Sequence, residues 1–181
     1  MSIDEFAKID TTFNEGEFLT KVNNVFIKLF SGIMFDELED AKHFVSDDIY
    51  NKALSIVEEN KKNGSIQMYD ELNVKNSQIT NIEVKDDVYR IDIYLQSRYM
   101  DYIMNLEDSS LISGDNTRRI QVDYKLTFTK KANAKTMGAV RRCPSCGAAI
   151  NVNNSGKCEY CGTIFNLKDY DWVLTKLESL N

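Results

Sequence analysis

No run of apolar residues in the chain approaches the ~20 that a membrane-spanning helix needs, and residues 1–14 lack both a basic start and an apolar stretch. Neither a span nor an export signal is expected, which points to a soluble protein in a reducing, cytoplasmic setting. Histidine occurs once, at position 43, so a histidine-containing zinc motif is ruled out, and His43 is expected to lie half-exposed on a helix. There is no glycine-rich phosphate loop, and no nucleophile has an assignable base. Neighbouring carboxylates such as Asp47-Asp48 and Asp86-Asp87 read as a helix start and a turn. These absences argue against an enzyme. Cysteine, too, is missing from the first 142 residues.

All four cysteines fall in two knuckles, Cys143-Pro144-Ser145-Cys146-Gly147 and Cys158-Glu159-Tyr160-Cys161-Gly162. That spacing suits four thiolates converging on one tetrahedral ion at ~2.3 Å. Gly147 and Gly162 permit the positive φ such turns need, which lets backbone amides point at the sulfurs. The expectation is a zinc ribbon over residues 143–167 that holds one structural Zn2+ through Cys143, Cys146, Cys158 and Cys161. Two disulfides, a redox dithiol and a rubredoxin-like iron site are the rivals. A reducing compartment speaks against the first, and the second needs only one knuckle. The short separation and the few aromatics between the knuckles favour zinc over iron. A four-thiolate site is closed to substrate, so the metal would hold structure.

The formal net charge is −6, spread as −6 over residues 1–63, −2 over 64–134 and +2 over 135–181. An acidic chain with a near-neutral ribbon is a poor nucleic-acid binder, because phosphate contacts need a clustered basic face. The segment Lys130–Arg142 carries five basic residues and no acidic one. It reads as a solvated linker over 132–142. The alternative is a peripheral contact with an anionic membrane or a nucleic-acid backbone.

Periodicity divides the rest. Residues 1–14 read as a lead-in without a fixed place. From Glu15 to Ser31, Phe18, Leu19, Val22, Val25, Phe26, Leu29 and Phe30 recur at helical spacing, with Gly32 as a stop. Asp36 and Glu39 suggest the capping box of a short second helix. A third has Ser46 as N-cap, Asp47 and Asp48 in its first turn, Lys61 and Lys62 in its last, and Gly64 beyond. Alternation then announces strands around Leu72–Val74, Ile79–Val84 and Tyr89–Met104, and most clearly over Ile120–Phe128. The same alternation puts Asp92 and Asp123 on the face opposite the apolar set, in solvent. Asp169 would cap a last short helix within 168–181. Helices first and antiparallel strands after predict an α+β domain over 15–131, with helices packed on a curved antiparallel sheet. If that domain owns its core, a chain cut near Lys135 folds without zinc.

The order Phe18-Leu19-x-x-Val22, Asp36-x-Leu38, Ser46-x-x-x-Tyr50, Leu72-x-Val74, then Ile112-Ser113-Gly114-Asp115 leading into Tyr124-x-Leu126-Thr127-Phe128, resembles the Tim44-like domain family. That family includes the C-terminal domain of the scaffold subunit of the mitochondrial import motor and small bacterial proteins. The resemblance implies a cone-shaped, nuclear-transport-factor-two-like fold with a deep apolar pocket. Leu126 stands where the family's last strand usually has tryptophan, and only about fourteen residues precede the domain. The appended ribbon is similar to that of small bacterial members, so a bacterial cytosolic protein is implied. On this basis Tyr89, Ile91, Ile93, Leu95, Ile120, Val122, Tyr124, Leu126 and Phe128 are candidates to line a pocket for a hydrophobic ligand, peptide or protein partner. The predicted function is a non-enzymatic binding or scaffold protein. A ketosteroid-isomerase-like pocket enzyme, or nucleic-acid binding through the ribbon, is the alternative. A buried carboxylate inside the cone would favour the enzyme.

Overall fold

The computed structural model describes residues 1–132, 140–143, 146–151, 158–162 and 171–181. Three helices come first: α1 (Ile3–Ile9), α2 (Glu15–Phe35) and α3 (Asp47–Lys62), with a single 3-10 turn at Leu38–Asp40 before α3. Five strands form one antiparallel sheet. They are β1 (Ser65–Lys85), β2 (Val88–Asn105), β3 (Leu111–Gly114), β4 (Ile120–Lys131) and β7 (Val173–Ser179), in the order β1-β2-β4-β7 with β3 on β2. Two three-residue strands, β5 (Val140–Arg142) and β6 (Ala149–Asn151), pair separately. This is the expected α+β arrangement, helices against one face of a curved antiparallel sheet.

The N-terminal residues are not an unplaced lead-in. Ser2 and Glu5 form a reciprocal capping box that starts α1. Phe6, fully buried, packs edge-on against Phe13 and Tyr89 at ring distances of 4.9 and 5.0 Å. The amphipathic stripe of α2 continues through Gly32 to buried Ile33 and Met34. The helix ends when Asp36 turns left-handed at φ 56°, so Asp36 closes α2 and does not open a second helix. Ser46 caps α3 by accepting from the Ile49 amide, as expected. His43 is not half-exposed on a helix. It is 4% exposed, in the turn before α3 and beside the Phe44 ring.

The two strands expected over Leu72–Val84 are one 21-residue strand, interrupted by register shifts at Asp70/Asn73, Val74/Asn76 and Ile79/Asn81. Each shift adds an unpaired residue and turns the alternation over, which bends the sheet and breaks the sequence pattern. Asp86 and Asp87 both take positive φ (50° and 59°), the two-residue hairpin turn whose twist matches the strands it joins. Gly114, at φ 85°, ends β3, where a Cβ would meet the Asp101 carbonyl at 2.2 Å, so only glycine lets the chain pass.

The C-terminal segment is a strand, not a helix. β7 pairs antiparallel with β4, Thr129 opposite Val173 and Leu126 opposite Leu177. Trp172, Val173 and Leu174 are buried, Leu174 completely. The cysteine region is therefore inserted between two adjacent strands of the main sheet and not appended after the domain. Residues 133–139, 144–145, 152–157 and 163–170, which hold Lys135, the end of the ribbon expected over 143–167 and the expected Asp169 cap, lie outside the described residues.

Candidate functional site

Between α2, α3 and the concave face of the sheet lies a cavity of about 670 Å³, within the usual range of small-molecule sites. Leu29, Phe30 and Ile33 of α2 and Ile49, Ala53 and Ile56 of α3 form its helical wall. Tyr69, Tyr99, Ile120, Val122 and Tyr124 form its sheet floor, and Thr175–Ser179 of β7 one side. Three of the expected pocket residues, Ile120, Val122 and Tyr124, are here. The other six, Tyr89, Ile91, Ile93, Leu95, Leu126 and Phe128, are 0–7% exposed in the packed core and do not line the cavity. The helices fill that part of the concave face. Phe18, for instance, meets Phe128 at 5.9 Å.

At the floor the Tyr99 and Tyr124 hydroxyl oxygens are 2.6 Å apart. Phe30 packs edge-on to Tyr69 and Tyr124, at 4.7 and 5.7 Å. Burial raises the pKa of Tyr69, of Tyr99 and of Tyr124, so all three remain neutral hydroxyls. They can donate and accept hydrogen bonds but cannot act as phenolate bases near neutral pH. The carboxylates that line the cavity, Asp48, Asp101 and Glu178, are all exposed. No buried carboxylate lines it among the described residues.

The buried carboxylates lie elsewhere. Asp92, expected in solvent, is only 4% exposed on the convex face, because neighbouring long side chains cover it. Thr127 Oγ1 donates to it at 2.7 Å, Arg90 Nη2 at 3.3 Å, and Lys125 Nζ stands 4.0 Å away. Burial pushes its carboxyl up, but these partners outweigh that and hold it below the usual range. Asp123, half-buried, accepts from the Tyr94 hydroxyl at 2.8 Å.

Asp10, the second, sits in a recess of about 250 Å³ between the α1–α2 loop and Trp172. Lys130 Nζ donates to it at 2.9 Å, and Thr12 donates through Oγ1 at 2.6 Å and through its amide at 3.1 Å. Lys130 also lies over the Trp172 ring, 5.8 Å from its centroid. Lys21 of α2 pairs with Asp171. The two chain segments that lead into and out of the cysteine insertion are thus each tied to the N-terminal helices by an ion pair.

In that insertion all four sulfurs, of Cys143, Cys146, Cys158 and Cys161, lie within 4.8 Å of one another. Sγ of Cys143 and Cys161 are 3.6 Å apart, and those of Cys146 and Cys158 are 3.7 Å apart. Four ~2.3 Å bonds to a tetrahedral ion need sulfur separations of ~3.8 Å, so the cluster fits a metal ion. Both knuckles close alike. The Gly147 amide donates to the Cys143 carbonyl and the Gly162 amide to the Cys158 carbonyl, each at 2.9 Å, with glycine φ of 72° and 71°. The Ala148 amide favours the Cys146 thiolate, yet the surrounding thiols and partial desolvation prevail and push the thiol up to about 12. The neighbouring sulfurs thus make the Cys146 thiol harder to ionise alone, and a divalent cation removes that cost.

Sequence reasoning missed the helical wall and the tyrosines Tyr69 and Tyr99. The helical stripe was read as core, and Tyr69 lies where the bulges scramble the alternation of β1.

Among solved structures, a periplasmic fragment of TraM shares 10% identity with the chain at a TM-score of 0.52, covering 94% of this chain and 99% of that one. The intermembrane-space region of the chloroplast protein ARC6 shares 9% identity at a TM-score of 0.44, covering 99% and 97%. CagV, a VirB8 homologue of Helicobacter pylori, shares 9% at 0.33, covering 88% and 96%. No curated protein matches the sequence. The TraM likeness speaks for the fold alone. Residues 1–139, well over half of the chain, match the Tim44-like domain, and the protein belongs to that family.

Proposed function

We propose that the protein is a non-enzymatic binding module that holds an apolar segment of a ligand or protein partner in the cavity between α2, α3 and the sheet. The observation that carries this reading is the composition of the walls. Aliphatic and aromatic side chains line a space of about 670 Å³, with neutral tyrosine hydroxyls at the floor and only exposed carboxylates around it. Such a site gains affinity from apolar burial and orientation from a few hydrogen bonds. A proton-transfer site needs a carboxylate or imidazole of shifted basicity facing the space. Membership of a family whose known member is a scaffold points the same way.

The four-cysteine cluster supports one zinc ion with a structural role, since four thiolates fill the coordination sphere. Thiolate ligands suit a reducing compartment, and on that ground we place the protein in the cytoplasm. The test of the cavity reading is Val122→Trp, which fills the floor. It should leave the fold intact and abolish binding of an apolar probe such as laurate. An unfolded variant, or unchanged binding, refutes the reading.

A further inference from the structure

The cavity touches five consecutive residues of β7, Thr175 to Ser179. Side chains along a strand alternate between faces, so a space in contact with all five reaches past the concave face to the edge of the strand. β7 is the terminal strand of the sheet. The Leu180 amide donates inward to the Asp123 carbonyl at 2.8 Å. By antiparallel alternation Glu178 and Lys176 also turn their backbone groups toward β4, which leaves those of Leu177 and Ser179 on the open side. Beyond β4, neither backbone meets a hydrogen-bond partner among the described residues.

The first part of the same edge is already paired. Leu174 donates to the Phe44 carbonyl at 2.9 Å and accepts from the Ser46 amide at 2.8 Å, a one-residue parallel bridge centred on Val45. After Ser46 the chain turns into α3, which stands over the rest of the edge and supplies Ile49, Ala53 and Ile56 to the opposite wall. The result is a slot with backbone donors and acceptors on one side and apolar side chains on the other.

We propose that the occupant is an extended peptide of a partner protein, added to β7 as a further strand in line with Phe44–Ser46, its alternate apolar side chains directed into the cavity. This deepens, and rests on, the reading of the cavity as a binding site. An acyl chain would match the apolar wall but leave the backbone groups of Leu177 and Ser179 without partners. An extended peptide satisfies both sides, the mode in which main-chain bonds supply affinity and side-chain pockets supply selectivity.

The experiment uses the full chain and a pool of eight-residue peptides in which valine, isoleucine, leucine, phenylalanine or tyrosine alternates with threonine and lysine. Captured peptides are identified by mass spectrometry and their affinities measured by fluorescence anisotropy. Laurate is titrated in parallel. The variants are Ser179→Pro, which removes an outward amide from an exposed position, Ser179→Ala as its control, and Val122→Trp. Captured peptides should lose about tenfold or more in affinity to Ser179→Pro and to N-methylation of their own edge-facing amides, and nothing to Ser179→Ala. N-methylation keeps the test valid if Ser179→Pro fails to fold. Laurate binding that Val122→Trp abolishes, with no peptide captured, overturns the strand-addition proposal and leaves the cavity reading standing. Capture of peptides indifferent to N-methylation and to Ser179→Pro also overturns it. Binding of neither probe overturns both.

Discussion

Thr129 and Val173 face each other across the β4–β7 ladder although the whole cysteine insertion lies between them in the chain. The sheet is thus completed by residues that follow the insertion, and Trp172, Val173 and Leu174 enter the core from there. A chain cut near Lys135, expected from sequence to fold alone, should instead fail. It loses three buried side chains, each worth ~1.5–3 kcal/mol, against a typical domain stability of ~5–15 kcal/mol. Replacing residues 133–170 with a short glycine-serine turn keeps β7 and should preserve a cooperative melt. Calorimetry of the two shortened proteins decides, and a stable truncation would show that β7 is dispensable.

Metal removal follows from the same topology. Protein purified without added metal should carry one zinc per chain by elemental analysis, lost on substitution of any of Cys143, Cys146, Cys158 or Cys161 by serine. Chelation should leave the far-ultraviolet helical signal in place, because α1 to α3 and the sheet own a continuous core and the segments flanking the insertion are held by Asp10–Lys130 and Lys21–Asp171. Iron, or a chain with two disulfides and no metal, would contradict the zinc assignment. Collapse of the helical signal would contradict the independence of the core.

Where the sequence pattern is long and regular it was legible. The stripe of α2, the Ser46 cap and charged end turns of α3, the Asp86-Asp87 turn and the alternation of β4 each state their structure in local chemistry. The failures have local causes. Trp172, Val173, Leu177 and Leu180 satisfy helical spacing as well as a strand, and only pairing with β4 decides between them. In α1 one fully buried side chain, Phe6, helped by half-buried Ile3, docks seven residues, too few for a periodic signal. The bulges of β1 made one strand look like two. For the site, alternation identified the face of Ile120, Val122 and Tyr124, but it could not say that α2 fills one half of that face and leaves the other half open.

Acid should destabilise the fold through Asp10. Burial pushes its carboxyl up, but Thr12 and Lys130 prevail and hold it below the ordinary carboxylate range. A depressed carboxyl contributes stability above its unfolded pKa of ~3.9, and that contribution disappears as pH falls through the folded value. Asp10→Asn should therefore be less stable than the parent at pH 7 and show a flatter acid limb below about pH 4. Lys130→Met, which strands the buried carboxylate, should cost ~3–5 kcal/mol. Urea melts at several pH values test both, and an acid limb unchanged in Asp10→Asn would remove the pair from the account.

The last prediction separates the packed core from the cavity on neighbouring strands. Ile93 is fully buried in the core, while Val122, 9% exposed, borders the open space. Truncating Ile93→Ala leaves a void in dense packing and should cost ~2–5 kcal/mol. Val122→Trp adds more volume than the first substitution removes, and in a filled core it would be penalised by ~1–3 kcal/mol or more for overpacking. Facing a space of about 670 Å³, the indole has room beside Tyr124 and Ile33, and its apolar burial offsets the lost cavity surface. The two variants should therefore part company, with the Ile93→Ala midpoint in urea falling sharply and that of Val122→Trp staying within the range of a surface substitution. Equal destabilisation would mean that the space closes in solution. The helices would then pack over Val122 as they do over Ile93, and no room for a ligand would remain.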